Sequence, residues 1–236
     1  MDFAGYLRLF GGLSLVKWRE LGISEVDNAK FRRGLHSSES VVGLPEVGRW
    51  QMYNWYMSNA FTNGATDYSQ DSVLFDRVVF DLDYEANPGR AVEVALKFAE
   101  DIADRYGAVA LVTRSGFKGA GVYIFYSRPV NWHTQRLLFQ YLALHAPDPR
   151  LIDYGMNQWN RLPRIPLTYN LKRGERRLVE VIYPERVEDY RSFTWSLVKP
   201  LDVDKLAIPQ VKLPELPRPR VIRAVGNAPR RLRWVE

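Results

Sequence analysis

The stretch VVFDLDYE, from Val78 to Glu85, sets two aspartates one residue apart inside a run that otherwise reads as a buried strand. Side chains on a strand alternate between its faces. Val78, Phe80 and Leu82 therefore share one face, and Val79, Asp81 and Asp83 share the other. At a rise of ~3.3 Å per residue the two carboxylates stand roughly 6–7 Å apart. Like charges that close repel each other unless a cation lies between them. Mg²⁺ and Mn²⁺ take oxygen ligands, commonly one or two carboxylates completed by water and phosphate oxygens. A pair of such ions can clamp the attacking and leaving oxygens of a phosphoryl transfer.

Two further stretches carry matching chemistry. In SGFKGAG the glycines let backbone N–H groups approach an anion, with Lys118 as a point charge and Ser115 as a hydroxyl donor. It joins two strands, so it is neither a Walker loop nor a dinucleotide fingerprint, and alone it reads as a hairpin turn. In LIDYGMNQWNRLPRIPLTYNLKRG (151–174), Asp153 follows an apolar pair. Arg161, Arg164, Asn170, Lys172 and Arg173 come next, along a path fixed by prolines. A basic, polar, extended loop suits a triphosphate or a template strand.

The elements that must position these groups read clearly from Arg77 onward. A strand (Val78–Asp83) precedes Asn87-Pro88, an N-cap followed by proline at the first helical position. Apolar spacing predicts a helix over 89–106 that ends at Gly107. Strands at 108–113 and 122–127 flank the glycine-rich turn, a helix spans 131–147, and a strand follows at 176–183 with another at 193–198. Strand, helix, strand, strand, helix, strand is the order of a split βαβ or RNA-recognition-motif-like module. Upstream, YLRLFGGLSLVKWREL reads as a helix pair broken at Gly11-Gly12, and GRWQMYNWYMSNAF as a further helix. Three regions result: a mixed N-terminal segment (1–75), the module carrying the motifs (76–207), and a basic, proline-rich tail (208–236).

Composition narrows the chemistry. The chain has 236 residues and no cysteine, which excludes a thiol nucleophile and cysteine-held zinc. His36, His133 and His145 are dispersed. No apolar run reaches the ~20 residues of a membrane span. The N-terminal sequence lacks a secretory pattern, so a cytoplasmic protein is the expectation. Net charge is +6, and arginine outnumbers lysine 25 to 8. That bias suits phosphate recognition and equally fits a heat-adapted or GC-rich source. Most of the net charge, +5, lies in the last 29 residues, which hold five of the fourteen prolines. Arg230 and Arg231 there are candidate nucleic-acid contacts, with Arg161 and Arg173 upstream.

DRVVFDLDYE, then VTRSGFKGAGVYIFY, then LIDYG…RIPLTYNLKRG, in this order, resemble the motifs of the archaeo-eukaryotic primase superfamily, which includes archaeal primase small subunits and plasmid and viral primase-polymerases. The resemblance covers roughly residues 50–185. It implies an α+β fold, with an RNA-recognition-motif-like catalytic unit packed against an N-terminal α/β unit and the site between them. It implies Asp81, Asp83 and Asp153 as catalytic ligands of two Mg²⁺ or Mn²⁺ ions, with no zinc. Ser115, Gly116, Lys118 and Gly119 become the nucleotide-binding turn, and Arg164, Thr168, Asn170 and Lys172 lie near the triphosphate. Implied partners are a single-stranded DNA template and nucleoside triphosphates, with a primase large subunit or a helicase as candidates. The implied activity is nucleotide transfer to a primer or an initiating nucleotide. The alternative is a catalytically weak accessory subunit that binds nucleic acid and an active primase. Gly121 supports that alternative, because the superfamily's second motif has histidine there. A nuclease using the same acids ranks third, since the basic loop is surplus to it.

Overall fold

The computed structural model describes residues 1–26 and 30–206. The tail, with Arg230 and Arg231, lies outside the described residues. Among the described residues no helix is long and apolar enough to cross a membrane.

Helix α1 (Phe3–Gly11) is capped by the Asp2 carboxylate and ends at Gly12, whose φ of 63° lets the chain turn back. Strands β1 (Trp18–Ser24) and β2 (Arg32–His36) form a hairpin, and the short helix α2 (Ser38–Val42) follows. A 3₁₀ segment at 45–52 leads into β3 (Asn54–Thr62). Then come β4 (Leu74–Asp83), α3 (Pro88–Tyr106), β5 (Leu111–Arg114), β6 (Gly119–Asn131) and α4 (Trp132–Ala143). Strands β7 (Tyr169–Lys172), β8 (Glu175–Leu178) and β9 (Glu180–Tyr183) complete the elements that matter here.

One antiparallel sheet runs in the order β2-β1-β3-β4-β6-β5-β9, and β7 and β8 form a separate hairpin. This is an α+β architecture. Strand β6 lies between β4 and β5, as a split βαβ unit requires. β9 joins the far side of β5, because the other flank of β4 is taken by β3. The sheet is thus continuous across residue 75, and that position lies within β4.

Helices α3 and α4 cover one face. Phe80 packs on Phe98 of α3 at 5.1 Å and on Phe139 of α4 at 4.6 Å. Val78, Phe80 and Leu82 are fully buried there, as alternation demands.

Two segments predicted as helical are strands. Residues 18–24 leave the helix after Gly12 and pair on both sides. The aromatic run at 54–62 is β3; Trp55 and Met57 are buried, while Tyr56 is only half-buried. The strand expected at 176–183 is divided at Val179, with its halves in different sheets. The strand expected at 193–198 is instead a 3₁₀ turn at Trp195–Leu197.

Arg19 and Arg77 lock the N-terminal helix to the sheet. Both are buried and pair with Asp76. Arg19 donates to the Gly11 and Ser58 carbonyls, and Arg77 to the Phe10 carbonyl. Burial would raise the Asp76 carboxyl, but the two guanidiniums outweigh it and hold Asp76 down at about 2.

Candidate active site

Strands β3 and β4 pair only at Ala60–Phe75 and Phe61–Leu74 and then diverge. The chain from Ile152 to Ile165 fills the fork. On the β4 arm, Ile152 bridges to Leu82, and the Asp153 N–H donates to the Asp81 carbonyl at 2.8 Å. On the β3 arm, Arg164 bridges to Tyr56, and the Met57 N–H donates to the Pro163 carbonyl at 2.9 Å. One loop therefore carries Asp153 on one arm of the fork and Arg164 on the other. Between them lies a cavity of about 310 Å³, lined by Asp81, Asp83, Ser115, Lys118, Arg164, Asn170 and Lys172 among others. This volume falls at the small end of ordinary ligand sites.

The carboxylates differ in their partners. Asp83 pairs with Lys118 at 2.8 Å. Asp153 accepts from the Gly155 N–H at 2.8 Å and pairs with Arg161 at 3.5 Å. Asp81 has no ion pair among the described residues. Burial, then the charges of Asp83 and Asp153, push it up to about 7 against the pull of Arg164 and Lys118. Asp83 and Asp153 both act on Asp81, yet among the described residues no three acidic or histidine groups stand together as one ion site. The cavity wall itself offers two carboxylates, Asp81 and Asp83, the oxygen ligands a hard cation takes, and Asp153 is not among the lining residues.

The glycine-rich turn is built as the sequence implies. The Ser115 N–H donates to the Gly119 carbonyl at 2.9 Å, and the Ser115 hydroxyl accepts from the Gly119 N–H at 3.1 Å. Gly116 has φ +87°. At Gly119 a Cβ would stand 2.4 Å from an Asp83 carboxylate oxygen, so the turn closes directly on that acid. Asn170 fixes the turn from outside, donating to the Ser115 carbonyl at 2.7 Å.

Not every expected residue reaches the cavity. Thr168 is fully buried and donates to the Ile165 carbonyl at 2.7 Å. Leu167, at φ 57°, and the backbone pairing of 167–168 with Val179 turn it inward. Thr168 is therefore not among the residues that line the cavity. Arg161 sits beside Asp153, and Arg173 is exposed on the turn of the β7–β8 hairpin.

Other residues went unread in the sequence. Asn54 accepts from Arg164 at 2.6 Å and from the Leu171 N–H at 2.8 Å, tying β3 to both basic segments. The Tyr56 hydroxyl accepts from Arg164 at 3.1 Å, and the Arg164 guanidinium lies 4.8 Å from the Tyr56 ring. The alternation Asn54, Tyr56, Ser58 along β3 was the available signal. Gly121 stands between Asp81 and Thr113 in one cross-strand row. A Cβ there would meet the Tyr123 ring at 2.8 Å and the Thr113 hydroxyl at 2.9 Å. Tyr123 fills that space and donates to the Arg164 carbonyl at 2.6 Å. Burial, with Asp81 nearby, holds its phenol well above the ordinary value, so it stays a donor.

No family model and no curated protein matches the sequence. Solved structures similar to the chain are polymerase or primase domains. The polymerase domain of Mycobacterium tuberculosis Ligase D, in complex with DNA, is 12% identical at TM-score 0.48, over 71% of this chain and 74% of that one. The primase RepB′ is 13% identical at TM-score 0.49, over 80% of this chain and 56% of that one. The AEP domain of the cyanophage S-2L primase-polymerase is 14% identical at TM-score 0.46, over 67% of this chain and 80% of that one. They stand beside the superfamily resemblance carried by the three motifs. The functional reading rests on the site's own residues.

Proposed function

We propose that the chain is a metal-dependent nucleotidyltransferase that adds nucleotides to a primer or an initiating nucleotide on a DNA template. One observation carries this reading. Asp81 and Asp83 line one side of the cavity, Arg164, Lys118 and Lys172 also line it, and one loop joins Asp153, bonded through its backbone to Asp81, to Arg164. An acidic end and a cationic end are what a metal-bound triphosphate needs. Two Mg²⁺ or Mn²⁺ ions held by Asp81, Asp83 and Asp153 would supply charge stabilisation for attack of a 3′-hydroxyl on the α-phosphate and for the departing pyrophosphate.

The chain's own residues do the rest. Arg164, steadied by Asn54 and Tyr56, presents a fixed fork to phosphate oxygens. Lys118 neutralises Asp83 in the resting chain; its flexible stem lets the ammonium swing to a phosphate when Asp83 is engaged. The Ser115–Gly119 turn limits how close the substrate can come to Asp83.

The test is incorporation of NTPs or dNTPs on single-stranded DNA, with and without a primer, in Mg²⁺ or Mn²⁺. The Asp81→Ala/Asp83→Ala protein is run beside it. Metal-dependent product that disappears in the variant is expected; equal product from both proteins overturns the assignment. The competing reading is an accessory subunit that binds nucleic acid without polymerising. It predicts no product, with tight, salt-sensitive DNA binding in both proteins.

A further inference from the structure

The β7–β8 hairpin projects from the cavity wall and carries more charge than the cavity uses. From Lys172 to Arg177 it holds four basic residues and one acid, Glu175. Arg173, Arg176 and Arg177 are all exposed. Arg177 is committed inward: it pairs with Glu175 at 2.7 Å, donates to the Gly116 carbonyl at 3.1 Å and covers the Phe117 ring at 4.7 Å. It braces the glycine-rich turn.

Arg176 is different. It has no ion pair among the described residues. Its guanidinium lies 4.7 Å from the Tyr169 ring, and Tyr169 is itself stacked on Trp50 at 5.1 Å and 25°. Phe3, Trp50, Tyr169 and Arg176 are linked by successive ring contacts, with the exposed cation at the end of the series. Such a surface offers a nucleobase a stacking face and a phosphate a donor edge, and neither demands a particular sequence. A triphosphate in the cavity would leave this series unused, since neither Arg176 nor Tyr169 lines the cavity.

We propose that the hairpin from Tyr169 to Leu178 is a landing platform for single-stranded DNA. One base stacks on the outer face of Arg176, and a neighbouring phosphate lies against Arg173. The strand then runs past Asn170 and Lys172, at the cavity wall, where a templating base is needed. That placement rests on the polymerase reading; the platform itself rests on the hairpin.

Binding of a labelled single-stranded DNA to the full chain is measured by anisotropy across a salt series, with a 2-aminopurine reporter in the strand. Arg176→Gln lowers affinity about tenfold or more, the scale of one lost base stack. Arg173→Gln makes the salt dependence shallower by ~0.7 in log–log slope, one phosphate contact on a single strand. Arg176→Lys keeps the salt slope of the parent and loses the quenching of 2-aminopurine. Affinity for a non-hydrolysable triphosphate stays unchanged in all three. Arg176→Gln with parental DNA affinity overturns the platform. So does an equal loss of triphosphate affinity, which would return the hairpin to the nucleotide site. A parent protein that binds DNA but incorporates nothing sinks the polymerase reading alone, and the platform is still judged by Arg176→Gln. A parent with no DNA affinity overturns both.

Discussion

Strand β4 carries acidic groups near each end, and the two ends have opposite electrostatics. Asp76 sits between buried Arg19 and Arg77, which hold its carboxyl at about 2. Asp81, five residues on, faces Asp83 and Asp153 and is pushed up to about 7. Burial disfavours charge at both. At Asp76 the neighbours reverse that cost; at Asp81 they add to it. The first arrangement stabilises the fold. The second opposes charge, a cost that a proton or the cation proposed above would relieve.

Neutralising each acid is the strongest way to break this contrast. Asp76→Asn leaves two buried guanidiniums facing no charge, and the expected loss is about 3 kcal/mol or more. Asp81→Asn relieves repulsion, so the metal-free protein should be as stable as the parent or more so. Urea unfolding of both variants with a chelator present measures the difference. Equal destabilisation by the two would show that Asp81 is a structural acid.

The pH dependence sharpens the contrast. Asp76 has a depressed pKa, so its contribution is present above the unfolded value near 3.8 and is lost as pH falls through about 2. Asp81 has a raised pKa, so the folded chain holds its proton longer than the unfolded chain. Its cost appears as pH rises from about 4 to about 7 and is complete above that. Melting temperatures measured from pH 4 to 8 without divalent ions should show an advantage of Asp81→Asn over the parent that grows with pH. Added Mg²⁺ or Mn²⁺ should narrow that gap by raising the parent, as expected for a ligand that binds only the folded state. A gap independent of pH and metal would sink this account.

The β4 end of the site was legible in the sequence because a strand's period of two states which side chains share a face. Asp81 and Asp83 line the cavity, and Val78, Phe80 and Leu82 meet the helices. Helix α3 was equally legible from its Asn87 cap, proline start and Gly107 end. The opposite arm was obscured. β3 is buried on both faces, so its period of two is masked, and Asn54 and Tyr56 went unseen. The burial of Thr168 was hidden for a different reason. The chain turns at Leu167, with φ 57°, and both Leu167 and Thr168 are fully buried, which spacing alone does not reveal. The division of 176–183 at Val179 depends on which sheet each half joins, a matter of tertiary pairing.

Gly121 gives the smallest expected effect and the finest distinction between the two ends of β4. It lies beside Asp81 across the sheet, and Tyr123 and Thr113 fill the space its side chain would take. Gly121→Ala must push the Tyr123 ring by several tenths of an ångström, an overpacking cost of about 1–3 kcal/mol. Tyr123 also holds the Arg164 carbonyl, so the shift should reach a residue that lines the cavity. The variant should therefore raise KM for the nucleotide more than its modest loss of stability implies. Gly12→Ala, near Asp76, offers the control. Its φ of 63° makes alanine costly to stability, while nothing ties it to the cavity. Urea unfolding and nucleotide KM measured for both variants separate the outcomes. Equal effects on KM at matched stability would mean that Tyr123 has room to swing, and that position 121 is glycine for packing alone.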